Sequence, residues 1–395
     1  MRQNTWKILP QPDMERPGMA PQLPKESLLS MYRKMYLIRR FEERAAQAYT
    51  QGKINGFCHL YIGQEAVAVG TTEALRPDDY QLGAYRDHGY PLTRGADPGM
   101  VMAELFGRAT GYCKGKGGSM HIFDVEHFVL GGYGIVGGQI PLAAGLAFAS
   151  RYRNDGRVTV CYFGEAAANQ GAFHETLNMA AKWSLPVIFL CENNRYGMGT
   201  AFARVSPMPE VYKRAAGYGI RGEPVDGMDV LKVYEAVKDC AAYARSGKGP
   251  VLLEANTYRY RGHSMSDPAT YRTKTEVERE RKGDPIPKLR QHCVEQLKIS
   301  ESEFEKIDAE VKATVDAAVK FADESPEPSL DELHEDVMVV PGEPDVKPRE
   351  RVLGMKVEWP RWPGPQDYRV TWDLEPREQA EEAEQQAGLK QPARA

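Results

Sequence analysis

Two apolar runs, VTVCYF and LPVIFLC, each end in oxygen-bearing side chains. Glu165 lies two residues past the first, and Asn193–Asn194 follow the second. A carboxylate and an amide oxygen presented together are hard ligands, suited to Mg²⁺ or Ca²⁺ and poor for zinc. Mg²⁺ takes few protein ligands and completes its octahedron with phosphate oxygens and water. The small residues Ala166, Ala167 and Ala168, and a helix opening at Gly171, would let backbone N–H groups approach a diphosphate closely. Taken singly, Glu165 also reads as an acid at a helix N-terminus and the asparagine pair as a turn. At successive strand ends of one βαβ unit, the features together point to a site.

The elements that must position these groups are legible from periodicity. RVTVCYF (157–163) reads as a strand, GAFHETLNMAAKWS as a helix and LPVIFLC as a second strand, so the crossover implies parallel pairing. In an open parallel sheet, ligands sit beyond the carboxyl ends of the strands. GPVLLEANTYRY offers a further strand, and QIPLAAGLAFASRYR a helix of small residues suited to close packing. From Glu26, apolar residues recur at helical spacing until Gly52, and charged helical patterns fill 284–323. The fold class expected is α/β, a mostly parallel sheet with helices on both faces. Residues 1–25 read as a Pro-rich extended arm, 26–340 as the α/β domain and 341–395 as a Pro- and Trp-rich extension.

Other segments carry chemistry with less specificity. GGYGIVGG contains a formal GxGxxG (Gly132, Gly134, Gly137), but Asp155 precedes the next strand, whereas a ribose-binding acid belongs at that strand's end. The alternative is a glycine segment whose backbone contacts a flat heterocycle, with Ile135 and Val136 as an apolar wall. GYCKGKGGS lacks the spacing of a P-loop. Tyr85 and Arg86 in AYRDHGYPLTRG could grip a diphosphate, although most arginines cover surfaces. RYRGHSMSDP places His263, Ser264 and Ser266 after a strand, and His59 in GFCHLYIGQEA reads equally as a hydrogen-bonded core histidine.

Composition bounds the rest. A chain of 395 residues with 42% hydrophobic and 27% charged residues can bury a sizeable core. A net charge of −4 gives no electrostatic case for nucleic acid, and no run approaches the roughly 20 apolar residues of a membrane span. The N-terminal stretch lacks the apolar core of a secretory signal and resembles no transit peptide. Six scattered cysteines without a CxxC read as reduced thiols, so a cytoplasmic, bacterial chain is expected.

Together the motifs cease to be independent. GEA with NN, its second Asn 30 residues after Gly164, resembles the GDG…NN motif of thiamine diphosphate enzymes. With GFCHLYIGQEAVAVG, AYRDHGYPLTRG, GRATGYCKGKGGSMH, GGYGIVGGQIPLAAG, CENNRYGMGT and YRYRGHSMSDPATYRTKTEVE, the chain over about 26–336 resembles the alpha subunits of 2-oxo acid dehydrogenases. The resemblance implies a thiamine diphosphate-binding fold and cofactors thiamine diphosphate and Mg²⁺. It implies decarboxylation of a small 2-oxo acid, pyruvate first, with acyl transfer to the lipoyl group of an acyltransferase. It implies that Glu165, Asn194 and the carbonyl of Tyr196 hold the metal. Tyr85, Arg86, His263 and backbone at Ala166 and Ala167 would meet the diphosphate. Backbone at Gly134 and Val136 would meet the aminopyrimidine, and His59 and His263 would act at the substrate. A beta subunit would supply a glutamate acid in an α2β2 heterotetramer.

The family motif has Asp and Gly where this chain has Glu165 and Ala166; branched-chain relatives look similar in carrying Glu. Acetoin and branched-chain 2-oxo acids are the alternative substrates. More distant readings are a non-catalytic scaffold subunit and an NAD oxidoreductase. The 341–395 extension, outside the resemblance, is expected to pack across a neighbouring subunit.

Overall fold

The computed structural model describes residues 23–333. Its centre is one six-stranded sheet, parallel throughout, built from β1 (Tyr80–Ala84), β2 (Val129–Tyr133), β3 (Thr159–Gly164), β4 (Val187–Asn193), β7 (Arg221–Asp226) and β8 (Val251–Asn256). A small antiparallel hairpin of β5 (Tyr196–Gly197) and β6 (Thr200–Ala201) lies between β4 and β7 in sequence. The spatial order is β2-β1-β3-β4-β8-β7. The chain runs outward from β1 to β2, then returns across β1 to β3, so the topological switch point lies between β1 and β3. Ligands of open parallel sheets gather beyond the carboxyl ends of the strands at such a point.

Alternation along each strand explains the two-sided cover. Val160 and Tyr162 of β3, with Ile188 and Leu190 of β4, join one apolar core. Cys161 and Phe163, with Val187, Phe189 and Cys191, join the other. The first core takes residues of α1 (Lys25–Thr50), α2 (Glu65–Ala74), α4 (Pro98–Leu105), α7 (Val230–Tyr243), α9 (Pro285–Leu297) and α10 (Glu301–Glu324). The second takes α5 (Gln139–Arg153) and α6 (Gly171–Lys182). The short α3 (Gly89–Arg94) follows β1, and α8 (Lys274–Arg281) follows the loop after β8. Strands apolar on both faces are the expected signature of a doubly covered parallel sheet. α1 forms because Leu28, Met31, Tyr32, Met35, Ile38, Phe41 and Ala45 recur every three or four residues and all point inward. α10 opens with a capping box, Ser300 and Glu303 satisfying each other's backbone N–H groups.

Two boundaries differ from the sequence expectation. Both βαβ strands run further than their apolar stretch, taking in Gly164 and Asn193. The glycine segment after His127 begins as a strand: β2 includes Gly131 and Gly132. The glycines are required there. A Cβ on Gly132 would fall 1.9 Å from the Asp87 carboxylate, and one on Gly131 2.2 Å from the Phe123 ring. The expected arm up to residue 22 and the extension at 341–395 lie outside the described residues. Among the described residues, all six cysteines are free thiols and no helix is long and apolar enough to cross a membrane.

At the amino ends of the strands, Asp79 is fully buried just before β1. Its carboxylate accepts Val158 N (2.8 Å), Arg76 N (2.8 Å) and both terminal nitrogens of Arg245 (3.0 and 2.7 Å). It thus ties the start of β3 and the segment after α7 to β1. Asp79→Ala leaves the guanidinium and two N–H groups without their acceptor, and should cost about 3–5 kcal/mol of stability in urea denaturation; a loss below 1 kcal/mol would show that the edge relaxes freely.

Candidate functional site

The carboxyl ends of β3 and β4 present the two groups that open the sequence argument. Glu165 follows Gly164 at the end of β3 and begins a 3₁₀ turn (Glu165–Asn169) that leads into α6. It is buried. Its Oε2 accepts the backbone N–H of Asn194 at 3.2 Å, while Oε1, equally buried, has no hydrogen-bond donor. Burial raises this carboxyl to about 7. Asn194 is oriented by Gln64, whose Oε1 accepts its Nδ2 at 3.1 Å, so Asn194 Oδ1 turns to the same side as the carbonyl of Tyr196. Both oxygens accept Arg259 Nη1 at 3.3 Å. Three oxygen donors therefore come from adjacent strand ends, and two of them already converge on one cation. Asn193 is different: its amide donates to Glu254 (2.6 Å) and accepts Arg195 N (3.0 Å), which makes it a brace of the β4 end.

The carboxyl end of β1 supplies the second half. Tyr85, His59 and His263 form a triangle of rings with centroids 4.6, 5.1 and 5.6 Å apart. Arg86, buried beneath them, donates to Leu60 O (2.6 Å) and His263 O (2.8 Å), tying the loop that carries His59 to the loop that carries His263. Burial, the Arg86 charge and His263 hold the His59 imidazole down to about 2, and burial with Arg86 and Arg259 holds His263 to about 4. Both rings are neutral at physiological pH, and in each Nδ1 is buried without a partner. His59 is thus not the hydrogen-bonded core histidine of the alternative reading. The two buried guanidiniums, Arg86 and Arg259, bond to carbonyls, an amide and the Tyr271 hydroxyl; neither forms an ion pair among the described residues. Such charge favours an anion with several oxygens.

The remaining sequence-predicted residues frame these groups. Gly134 follows β2, where a Cβ would come 3.1 Å from the His121 ring; Ile135 and Val136 beyond it are exposed. Ala167 is buried and Ala166 half-buried on the turn after β3. Asp155 sits at the opposite, amino end of β3, held to Arg157 N at 3.0 Å, away from any ribose position. Among the described residues no three His, Cys, Asp or Glu side chains cluster to hold a metal. Sequence reasoning missed Arg259, whose partner Asn194 is 65 residues away. It missed Glu192 as well: burial raises it to about 7, and it accepts the hydroxyls of Tyr61 and Tyr90. The available signals were an arginine just past a strand end and a glutamate inside an apolar run.

A family model described as "Dehydrogenase E1 component" matches residues 33–331. The chain is 51% identical over 323 residues to the pyruvate dehydrogenase E1 component subunit alpha of Rhizobium meliloti, covering 82% of this chain and 93% of that protein. It is likewise 51% identical to the protein of that name from Zymomonas mobilis, covering 80% and 89%. To the somatic mitochondrial form of Bos taurus it is 49% identical over 81% of each chain.

Asp87 generates a testable pH dependence. Its Oδ2 accepts Ile122 N at 2.9 Å, Oδ1 has no donor, and burial raises the carboxyl to about 6. The folded chain therefore keeps a proton that the unfolded chain releases near pH 4. The associated stability is present below that pH and is lost as pH rises through about 6. Asp87→Asn should gain on the parent, by on the order of 3 kcal/mol, between pH 4.5 and 7 in urea denaturation; parallel stability curves would refute this.

Proposed function

The chain belongs to the dehydrogenase E1 component family, and from that premise we propose that it is the alpha subunit of a pyruvate dehydrogenase. In this reading it decarboxylates pyruvate with thiamine diphosphate and passes the acetyl group to the lipoyl group of an acyltransferase. The observation that carries the site is the buried, donor-free Glu165 Oε1, at the strand end beside two oxygens that face a common cation. That donor set is hard, and it fits Mg²⁺ held by Glu165, Asn194 Oδ1 and the Tyr196 carbonyl. The buried charges of Arg86 and Arg259, with Tyr85, His263 and the backbone of Ala166 and Ala167, fit the diphosphate. The backbone at Gly134 and Val136 fits the aminopyrimidine. When bound, thiamine diphosphate supplies the electron sink for the pair of electrons left as carbon dioxide departs.

The chain's own residues do the positioning. Arg86 fixes the spacing of the two histidine loops through Leu60 O and His263 O. His59 and His263 present neutral Nδ1 atoms, so each can accept a hydrogen bond or a proton, and neither adds charge beside a substrate carboxylate. An acid to protonate the aminopyrimidine comes, in this proposal, from a beta subunit in an α2β2 assembly. A reducing cytoplasm is the proposed location, and the free thiols suit it.

Two measurements test this reading. With its beta subunit, the chain should turn over pyruvate at least tenfold better, in kcat/KM, than branched-chain 2-oxo acids or acetoin; alone it should show no turnover. A preference for acetoin or a branched-chain acid would move the assignment to that substrate. In calorimetry of the assembled complex, thiamine diphosphate should bind with a Mg²⁺-dependent heat that Glu165→Ala and Asn194→Ala abolish, with kcat/KM reduced at least 100-fold. Metal-dependent binding that survives in both variants would exclude these residues as ligands, and its absence in the parent would favour the scaffold reading.

A further inference from the structure

A fully buried chain of polar groups lies behind the histidine loop and belongs to none of the roles above. Glu42 projects from the buried stripe of α1, where every neighbouring inward residue is apolar. His88, just before α3, places Nδ1 3.0 and 2.9 Å from the two carboxylate oxygens of Glu42. Its Nε2 lies 2.9 Å from Ser119 Oγ and 3.0 Å from Ser119 O. A carbonyl oxygen can only accept, so Nε2 carries a proton. The Glu42 carboxylate, which also accepts Tyr61 N at 2.7 Å, calls for a proton on Nδ1 as well. Although burial opposes it, Glu42 raises the His88 imidazole above its ordinary value, which favours the protonated ring beside it. Ser119 Oγ then accepts the backbone N–H of His59 at 3.3 Å.

The segment these groups hold is short and completely specified. Cys58 O accepts Met265 N (2.9 Å), His59 N donates to Ser119, Leu60 O accepts Arg86, Tyr61 N donates to Glu42, and Ile62 O accepts Tyr260 N (3.1 Å). Five successive residues thus each have a backbone group clamped, two of them by the Glu42–His88–Ser119 chain. A carboxylate, imidazole and hydroxyl in line also suggest a nucleophile. Ser119 is 4% exposed and its oxygen already accepts the His59 N–H, so the chain serves a backbone instead. A buried carboxyl–imidazole contact is a costly way to fill a core, and apolar residues of similar volume would do so as well or better. What it adds is direction.

We infer that Glu42, His88 and Ser119 are positioning residues that fix the His59 ring at the substrate side of the site. The inference rests on the proposed role of His59. Ser119→Ala, assembled with the beta subunit, removes the acceptor of His59 N without touching cofactor or metal groups. It should lower kcat for pyruvate about tenfold, leaving KM and thiamine diphosphate affinity within twofold of the parent. In hydrogen–deuterium exchange, the peptide spanning residues 57–62 should exchange at least tenfold faster in the same complex, with or without thiamine diphosphate. Glu42→Gln should share both effects, and if it fails to fold, Ser119→Ala decides alone. A kcat within twofold of the parent, unchanged exchange in that peptide, or an equal loss of cofactor affinity would each overturn the inference. His59→Ala separates the two claims: if it turns over normally, the role of His59 falls, while exchange still reports whether Ser119 clamps the segment.

Discussion

The site depends on one unsatisfied atom. Glu165 Oε1 is buried at the end of a central strand with no donor in reach. A buried polar oxygen left without a partner costs about 1–3 kcal/mol, more when it is charged. Native chains keep such atoms where something else completes them. The surroundings hold the vacant lone pairs in place rather than relieve them. The backbone N–H of Asn194 takes the other oxygen, Gln64 pins the Asn194 amide, and the parallel β3–β4 pairing sets the two strand ends side by side.

Around that atom the electrostatics divide. On one side lie carboxyls that burial pushes upward: Glu165 and Glu192 to about 7, Asp87 to about 6. On the other lie Arg86 and Arg259, with two histidines that burial first, and then these positive charges, keep neutral. Arg259 spans the divide, because its guanidinium reaches both Asn194 Oδ1 and the loop hydroxyl of Tyr271. Asp267, which accepts His263 N at 2.6 Å and the Tyr271 hydroxyl at 2.8 Å, extends the connection into the His263 loop. Oxygen ligands for a cation and buried cations for an anion thus meet within one shell. A magnesium–diphosphate pair asks for both at once.

How much of this the sequence exposes depends on where each partner sits. Glu165 and Asn194 are legible because period and polarity change together at the end of an apolar run. Tyr85, Arg86 and His263 are legible as polar clusters after strands. Asn193 looks equivalent to Asn194, yet adjacent residues at a strand end point to opposite sides, and only one faces the site. The glycine run at 131–138 carries little strand signal because glycine weakens a strand. In the structure Gly131 and Gly132 sit in β2, since Phe123 and Asp87 occupy the space side chains would need. The Glu42–His88 pair spans 46 residues and the Arg259–Asn194 contact 65, so no local pattern could announce either. A charged residue inside an otherwise apolar helical stripe was the one trace of Glu42.

The departure at 165–166 shows how a fold absorbs a motif change. Glutamate reaches one methylene further than the usual aspartate, and here one of its oxygens spends that reach on the Asn194 N–H while the other stays free. Ala166 in place of glycine requires an ordinary backbone conformation, and it is not among the described residues with positive φ. Its methyl lies against Gly197 of the β5–β6 hairpin, where a side chain would come within 2.7 Å of it. With the Ala166 methyl in place, Gly197 is the position that cannot grow.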